Sequence, residues 1–215
     1  MTLVCVVVYN RFDNLKEWVR CWNLCETSNA QLVVIHNYEN EEARESYQSF
    51  CKDVVYISHI NQGFDIGRFQ DVCRGRLVGF PDWDNLIWVT DDTLPMRKDF
   101  IHTFTNALND NVIVSCMELP PTRNNHSVRY KMHIRTTGFC ISKEWAQKLT
   151  FTKDPILTKW DCFEFEHVGN NTFLDQVQRF GKKAVQVTDI NSSPLWDMGR
   201  PRQAKRRAEH YKVFS

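Results

Sequence analysis

Short apolar runs and amphipathic segments alternate along the first half of the chain. Residues 3–8 are apolar throughout, which is typical of a strand buried on both faces. The segment that follows carries its large apolar residues on one helical stripe, and Asp13 is its predicted N-cap. The same succession then repeats three times. The predicted strands are 3–8, 31–36, 54–58 and 86–90, and the predicted helices are 13–23, 41–50, 65–78 and 100–108.

This order of elements predicts an α/β fold with a mostly parallel central sheet and helices on both faces. After a further strand at 112–116 the pattern changes, because residues 128–142 are longer, mixed in polarity and broken near Gly138. We expect antiparallel or edge strands there. Helices at 143–149 and 172–180 and a strand at 184–187 complete the prediction, which describes one domain with two functional halves.

The composition is that of an ordinary soluble globular protein. Of 215 residues, 42% are hydrophobic and 25% charged, and no apolar run approaches the roughly 18 residues of a membrane span. The net charge of +1 hides a basic end, since residues 200–215 hold six basic residues and one acid, which leaves −4 for the first 199. A solvated helix face is the plainest interpretation. A cover for a phosphate-bearing ligand or a contact with a partner or a further domain beyond residue 215 stays open, whereas the acidic body disfavours nucleic acid.

The eight cysteines do not predict a disulfide framework. The apolar run at 3–8 follows Met1 almost at once and is interpreted as a core strand rather than a leader. Cys5, Cys116 and Cys140 lie in apolar runs and are expected to be buried thiols. Cys21 and Cys25 lack the spacing and the histidines of a zinc site. We therefore expect a reducing, cytoplasmic location, which would be the host cytoplasm for a viral protein.

Polar residues follow four of the predicted parallel strands. Because ligands of open α/β sheets bind beyond the carboxyl ends of the strands, these segments form one candidate site. The clearest is Asp91-Asp92 after the apolar strand LIWV, since adjacent carboxylates repel unless a partner such as Mg²⁺ or Mn²⁺ relieves the charge. The alternative is that these aspartates cap the next turn or pair with Arg97 and Lys98.

A second segment, around Gly63 and Gly67, precedes a predicted helix but is not a dinucleotide fingerprint. Its glycines either let the turn approach the helix closely or shape a loop that aims Asp65 and Arg68 at a ligand.

Together these segments resemble the GT-A class of nucleotide-sugar-dependent glycosyltransferases. The matching segments are VVVYNR, VVIHNYEN, NQGFDIGRF and WVTDDTLP, and the resemblance spans residues 3–190. WVTDDTLP is similar to the D-x-D motif of that class, with Thr90 in the first acidic position. The N-x-G-x-D segment resembles enzymes that transfer rhamnose and related sugars. The chain also resembles the amino-terminal domains of chlorella-virus glycosyltransferases that decorate a capsid protein.

The resemblance implies a single GT-A domain over residues 1–215, with a nucleotide-sugar half at about 1–110, an acceptor half at about 111–199 and a basic segment at 200–215. It implies a UDP-sugar donor (UDP-glucose or UDP-rhamnose type), Mn²⁺ or Mg²⁺, and a glycan or glycoprotein acceptor. It assigns Asp92 and Asp91 to the metal and offers a late histidine, His210, as a further ligand, with a surface histidine as the alternative. The residues it assigns to the donor are Tyr9, Asn10, Arg11, Asn37, Tyr38, Gly63, Asp65, Arg68, Thr90 and Asp91.

The acceptor half matches this class less well. Where many relatives carry an acidic pair before a helix, this chain has Asn170-Asn171. Acids lie slightly earlier, and Asp161, Glu164 or Glu166 is the predicted general base, with a polar loop as the alternative for each. Two other functions stay open. A sugar nucleotidyltransferase is disfavoured because no glycine-rich loop follows the first strand, and a non-catalytic sugar-binding or partner-binding domain would ignore the metal.

Overall fold

The computed structural model describes residues 1–27, 29–108, 113–115, 118–119, 133–134, 136–186, 195–197 and 212–213. The strands are β1 Thr2–Val8, β2 Ala30–Tyr38, β3 Val55–Ile60, β4 Asn85–Thr90, β5 Thr93–Pro95, β6 Ile113–Ser115, β7 Glu118–Leu119, β8 His133–Ile134, β9 Gly138–Ser142, β10 Ala184–Gln186 and β11 Leu195–Asp197. The helices are α1 Phe12–Trp22, α2 Glu41–Phe50, α3 Phe64–Cys73, α4 Phe100–Ala107, α5 Lys143–Lys148, α6 Lys159–Glu166 and α7 Phe173–Arg179.

Seven strands form the central sheet, in the order β10-β6-β9-β4-β1-β2-β3. The pairs β1–β2, β1–β4, β2–β3 and β6–β10 are parallel, whereas β9 runs antiparallel to both β4 and β6. The prediction of a mostly parallel sheet with an antiparallel part in the second half is thus confirmed. Two small pairings, β5–β11 and β7–β8, accompany the sheet.

Helices cover both faces of this sheet, as predicted. Alternate residues of β1 point to opposite faces, because successive side chains of a strand do so. Leu3, Cys5 and Val7 pack in the core beneath α3, α5, α6 and α7, and Val4, Val6 and Val8 pack in the core beneath α1, α2 and α4. Burial on both faces explains the continuous apolar sequence of β1.

Two predicted helix boundaries are wrong. Helix α1 begins at Phe12, so Asp13 lies in its first turn and not at the N-cap, which is Arg11. Helix α3 ends at Cys73, five residues before the predicted end, and Gly75 follows with a φ of 64°. A left-handed glycine just past the last turn is a common way for a helix to end.

Helix α6 was not predicted, since its sequence alternates aromatic and acidic residues and shows no helical apolar stripe. Its start is marked by a capping box, in which the Thr158 hydroxyl accepts from the Asp161 amide and the Asp161 carboxylate accepts from the Thr158 amide. Every helix of the described segments is too short to cross a lipid bilayer, and the longest, α1, has 11 residues.

Candidate active site

A cleft opens where the carboxyl ends of β1, β2 and β4 meet. The chain passes to one side of β1 through α1 and returns to its other side through α3, which makes the boundary between β1 and β4 a topological switch point. The cleft has a volume of about 380 Å³. It is lined by Val7, Val8, Tyr9, Asn10, Arg11, Asn37, Asn61, Phe64, Asp65, Thr90, Asp91, Asp92 and Thr137.

The structure brings together most of the residues predicted for the donor and the metal. Those that line the cleft are Tyr9, Asn10, Arg11, Asn37, Asp65, Thr90, Asp91 and Asp92. Tyr38, Gly63 and Arg68 do not line it. His210 lies outside the described residues.

Arg11 lies between Asp91 and Asp92, the two adjacent carboxylates that we call the acid motif. Its Nη1 is 3.7 Å from Asp91 Oδ1 and 3.2 Å from Asp92 Oδ2. The alternative pairing with Arg97 is wrong, because that guanidinium binds Asp99 through two contacts of 2.7 Å. The strand ends of β1 and β4 are neighbours in the sheet, so the first polar residues after each meet across the cleft.

Each aspartate also accepts a hydrogen bond from the protein. The Tyr9 amide donates to Asp91 Oδ2 at 3.3 Å, and the Thr90 hydroxyl donates to Asp92 Oδ1 at 2.5 Å. Burial raises the pKa of Asp91 to about 7; the charge of Arg11 opposes this rise, and that of Asp92 adds to it. A buried carboxylate with this pKa is stabilised in its charged form by any further cation that enters the cleft.

The acid motif fits a divalent cation by the chemistry of its donors. Asp91 and Asp92 supply carboxylate oxygen atoms, which Mg²⁺ and Mn²⁺ prefer as ligands. Arg11 carries only one positive charge against two negative charges, and its side chain is 51% exposed, so it has room to turn towards a bound anion. The two aspartates are therefore the described residues that would hold such an ion in the cleft.

A buried histidine fixes the backbone that carries Tyr9. His36 Nε2 lies 3.0 Å from the Tyr9 carbonyl, which can only accept, so this nitrogen carries the proton. His36 Nδ1 then accepts from the Tyr56 hydroxyl at 2.7 Å, and the ring stacks on Tyr47 with centroids 3.9 Å apart. Burial lowers the pKa of His36 to about 4, so the imidazole is neutral at neutral pH.

Asn37 lines the cleft and is held by the start of α3. The residue is 3% exposed, and its Nδ2 donates to the carbonyl of Phe64 at 3.2 Å. Its Oδ1 is closed off from solvent and has no hydrogen-bond partner within the described structure. The contact with Phe64 therefore connects the end of β2 to the start of α3 at the cleft.

Gly63 shapes the turn that leads into α3. It has a φ of 74°, and a Cβ atom at this position would lie 2.2 Å from the Ile156 carbonyl oxygen. The interpretation that this glycine permits a close approach is therefore supported by the geometry. The turn places Phe64, which also has a positive φ of 55°, and Asp65 at the cleft.

Asp65 is the third carboxylate of the cleft. Burial raises its pKa to about 7, and the charges of Glu166 and Asp92 add to the rise, while backbone amides of the first turn of α3 oppose it. Arg68, one turn further along, is buried beneath this turn. Its Nη2 lies 3.0 Å from the Gln62 carbonyl and 3.0 Å from Asp71 Oδ2, so its described contacts stabilise the turn.

The three acids predicted as a general base all lie on α6. Asp161 Oδ2 accepts from the Thr158 hydroxyl and amide at 2.7 and 2.9 Å, which fixes it as the cap of the helix. Glu164 Oε1 accepts from the Trp160 indole at 2.9 Å. None of the three acids, Glu166 included, lines the cleft.

Of the three acids, Glu166 is the one whose charge acts on a carboxylate of the cleft. Its Oε1 accepts from the Thr136 amide at 3.1 Å, and the next residue, Thr137, lines the cleft. Its charge also contributes to the raised pKa of Asp65. These contacts connect the end of α6 to the cleft through the turn before β9.

Five residues of the cleft were not predicted as site residues, namely Val7, Val8, Asn61, Phe64 and Thr137. Asn61 and Phe64 belong to the NQGFD segment, so their position in the sequence was a usable signal. Thr137 had no such signal. It reaches the cleft because β9 pairs antiparallel with β4, and its carbonyl accepts from the Thr90 amide at 3.2 Å.

Several solved structures are similar to this chain. The mannosyltransferase PcManGT from Pyrobaculum calidifontis, in complex with GDP-Man and Mn²⁺, matches 99% of the chain with a TM-score of 0.59 and 14% identity. The match to HddC from Yersinia pseudotuberculosis covers all of this chain and 98% of HddC, with a TM-score of 0.53 and 15% identity. The match to a 4-diphosphocytidyl-2C-methyl-D-erythritol synthase covers 99% of this chain and 96% of the synthase, with a TM-score of 0.52 and 10% identity.

These similarities confirm the predicted fold class, a GT-A-like Rossmann-type α/β fold. Identities of this size show the fold alone. The chain spans 62% of the length of the mannosyltransferase. No protein-family model matches the sequence, and no curated protein sequence matches it either. None of the three similar structures is described as a viral enzyme, so the resemblance to capsid-modifying enzymes stays a prediction.

Proposed function

We propose that this protein is a metal-dependent glycosyltransferase that moves a sugar from a nucleotide sugar to a hydroxyl group of a glycan or glycoprotein. One observation carries the proposal. Asp91, Asp92 and Arg11 meet at the switch point of a GT-A-like sheet, where two carboxylates and a guanidinium line one cleft. This combination suits a diphosphate with its divalent cation. The cation neutralises the two aspartates, and the oxygen atoms of the diphosphate pair with the arginine.

The donor lies across the carboxyl ends of β1, β2 and β4 in this proposal. Asn37, which lines the cleft at the end of β2, faces the base, and the expected base is uracil. Tyr9 and Asn10 line the nucleotide, and Arg11 turns from the aspartates to the diphosphate. The expected donor is a UDP-sugar of the UDP-glucose or UDP-rhamnose type.

Asp91 and Asp92 would hold Mn²⁺ or Mg²⁺, and the bound cation would neutralise the charge that develops on the diphosphate as the sugar departs. Asp91 is the better buried of the two, at 7% exposure, and the Thr90 hydroxyl orients Asp92. Strand β11 pairs with β5, directly after the acid motif, and so returns the chain to this side of the sheet. His210 lies outside the described residues, and its place as a third ligand is part of the proposal.

Of the three acids on α6, Glu166 is the proposed general base. Asp161 is committed to capping the helix and Glu164 to the Trp160 indole, whereas Glu166 contacts the turn that lines the cleft. In a transfer that inverts the sugar, its carboxylate takes the proton of the acceptor hydroxyl as the new carbon–oxygen bond forms. The bond from the sugar to the diphosphate breaks at the same time, and its electron pair leaves on the phosphate oxygen.

A nucleotidyltransferase that makes nucleotide sugars is the second candidate. The fold is compatible with it, since a 4-diphosphocytidyl-2C-methyl-D-erythritol synthase gives a TM-score of 0.52 over 99% of the chain. The sequence after β1 opposes it, because Tyr9-Asn10-Arg11 leads straight into α1 without a glycine-rich loop.

A nucleotide-release assay distinguishes these functions. UDP-glucose, UDP-rhamnose and GDP-mannose are each incubated with the protein and Mn²⁺, and the free nucleotide is measured with and without acceptor glycans. Release of UDP that EDTA abolishes supports a UDP-sugar transferase, and release of GDP alone replaces the proposed donor. Pyrophosphate formed from UTP and a sugar phosphate, without UDP release, favours the nucleotidyltransferase. If the protein turns over none of these substrates, a non-catalytic binding domain is the remaining function.

A further inference from the structure

Two histidines meet the proposed base, Glu166, at the end of α6. His133 of β8, Glu166 and His167 each offer one ligand atom, and these atoms lie within 4.8 Å of one another. His167 Nε2 is 3.2 Å from Glu166 Oε2, and the rings of His133 and His167 pack edge to face with centroids 4.0 Å apart. No proposed step of sugar transfer uses either histidine.

The chemistry of this cluster is that of a zinc site. Two imidazoles and one carboxylate, with a fourth position open, are a common donor set for Zn²⁺. At Zn–N and Zn–O distances of about 2.0–2.2 Å, tetrahedral ligands lie about 3.4 Å apart. The Glu166–His167 contact of 3.2 Å is close to this value, and the ligand atom of His133 lies within 4.8 Å of the other two.

The cluster is buried and held in place by its surroundings. His133 is 2% exposed, and the side chains of Glu166 and His167 are 13% and 14% exposed. The Thr136 amide holds Glu166 Oε1, which directs Oε2 to His167. Hydrogen bonds that orient a ligand in this way raise the affinity of metal sites.

This set of donors differs from the acid motif of the cleft. Asp91 and Asp92 offer oxygen atoms only, which suit Mg²⁺ or Mn²⁺, whereas imidazole nitrogen favours Zn²⁺. We propose that His133, Glu166 and His167 form a second metal site, selective for Zn²⁺, on the α6 side of the cleft. Because Zn²⁺ occupies Glu166, bound zinc withdraws this carboxylate from the acceptor hydroxyl and inhibits transfer; this last consequence rests on the proposed function.

Zinc binding is tested on the metal alone, without donor or acceptor. The full chain is stripped with EDTA, dialysed and titrated with ZnCl₂ in competition with a chromophoric chelator. We expect one Zn²⁺ per chain and a loss of affinity of at least about tenfold in His167→Gln and in Glu166→Gln. His102→Gln, a histidine of α4, and Asp92→Asn should bind Zn²⁺ as the unaltered protein does. Equal affinity in His167→Gln and Glu166→Gln, or loss in Asp92→Asn, would overturn the proposal.

Two controls keep the result specific. The cysteines are other potential zinc ligands, although burial raises the pKa of Cys162, on the same helix, to about 12. Titration with Co²⁺ separates the cases, since a thiolate charge-transfer band would assign the metal to cysteine and contradict the site. Circular dichroism melts show whether each variant folds, and His133→Gln joins the test only if it does. Zinc binding that fails in the unaltered protein refutes the second site and leaves the proposed transferase untouched.

Discussion

The two sides of the cleft hold their charges in different ways. On the β1–β4 side, Asp91 and Asp92 share one arginine, and their unpaired negative charge faces the open cleft. On the α6 side, Glu166 is held by the Thr136 amide and by the imidazole of His167. The first arrangement is suited to an anion with its cation, and the second to a group that gains and loses a proton or binds a softer metal.

This difference predicts which substitutions separate binding from turnover. The β1–β4 side should control whether the nucleotide binds, whereas the α6 side should control whether the sugar is transferred. The four predictions that follow run from the largest expected effect to the smallest.

Glu166→Gln should abolish turnover without weakening UDP binding. Loss of a general base costs about 10²–10⁴-fold in kcat. Glu164→Gln, the same change two residues earlier on α6, should stay near the unaltered rate, because Glu164 contacts the Trp160 indole whereas Glu166 contacts the Thr136 amide, next to Thr137 of the cleft. Steady-state rates with saturating donor and acceptor measure both. A Glu164→Gln variant as impaired as Glu166→Gln would remove the distinction between these acids.

Asp92→Asn should weaken metal-dependent nucleotide binding and turnover together. We expect kcat/KM to fall by about 10²–10³-fold, the size of effect seen when one group that stabilises developing charge is removed. Asp99→Asn is the matched control, since this acid binds Arg97 close by and does not line the cleft. Unchanged turnover in Asp92→Asn would contradict the metal assignment and favour a role without metal.

Gly63→Ala should destabilise the turn that carries Phe64 and Asp65. Gly79→Ala is a matched control, because Gly79 has a similar φ of 78° but nothing within 4 Å of an added Cβ, whereas at Gly63 the Cβ meets the Ile156 carbonyl oxygen. Strain at positive φ costs about 1–3 kcal/mol in either variant, and the contact adds to it only at Gly63. Urea unfolding measures the difference. Equal losses of unfolding free energy would show that the close approach is unimportant.

His36→Gln should change how stability depends on pH. The folded protein lowers the pKa of His36 from about 6.5 to about 4, so the neutral ring stabilises the fold fully above pH 6.5. That contribution is lost as the pH falls through this range, because the unfolded chain then binds the proton first. The stability advantage of the unaltered protein over His36→Gln should therefore shrink between pH 7 and pH 4 in urea unfolding. A constant advantage would contradict the buried neutral state.

The same contrast explains how much the sequence could predict. Residues after a parallel strand are brought to one edge of the sheet by the topology itself, so Arg11 and Asp91 could be assigned to one site before their contact was known. The contact itself could not be predicted, because the order of strands β4-β1-β2 places β1 beside β4 and the sequence does not state that order.

The α6 side was less predictable for a physical reason. The sequence that forms α6 has no apolar stripe, since Cys162 and Phe165 face the core while aromatic residues also cover its outer face. Only the Thr158–Asp161 capping box marked the helix. Glu166 and His133 are brought together by the pairing of short strands and a turn, which no local pattern specifies.

The central claim is that the β1–β4 side binds a nucleotide diphosphate with a divalent cation. Calorimetric titration of UDP into the protein, first with Mn²⁺ and then with EDTA, tests it most directly. The account predicts that UDP binds with Mn²⁺, that EDTA removes this binding, and that Asp92→Asn weakens it. No binding in either condition, or binding that EDTA leaves unchanged, would contradict the account.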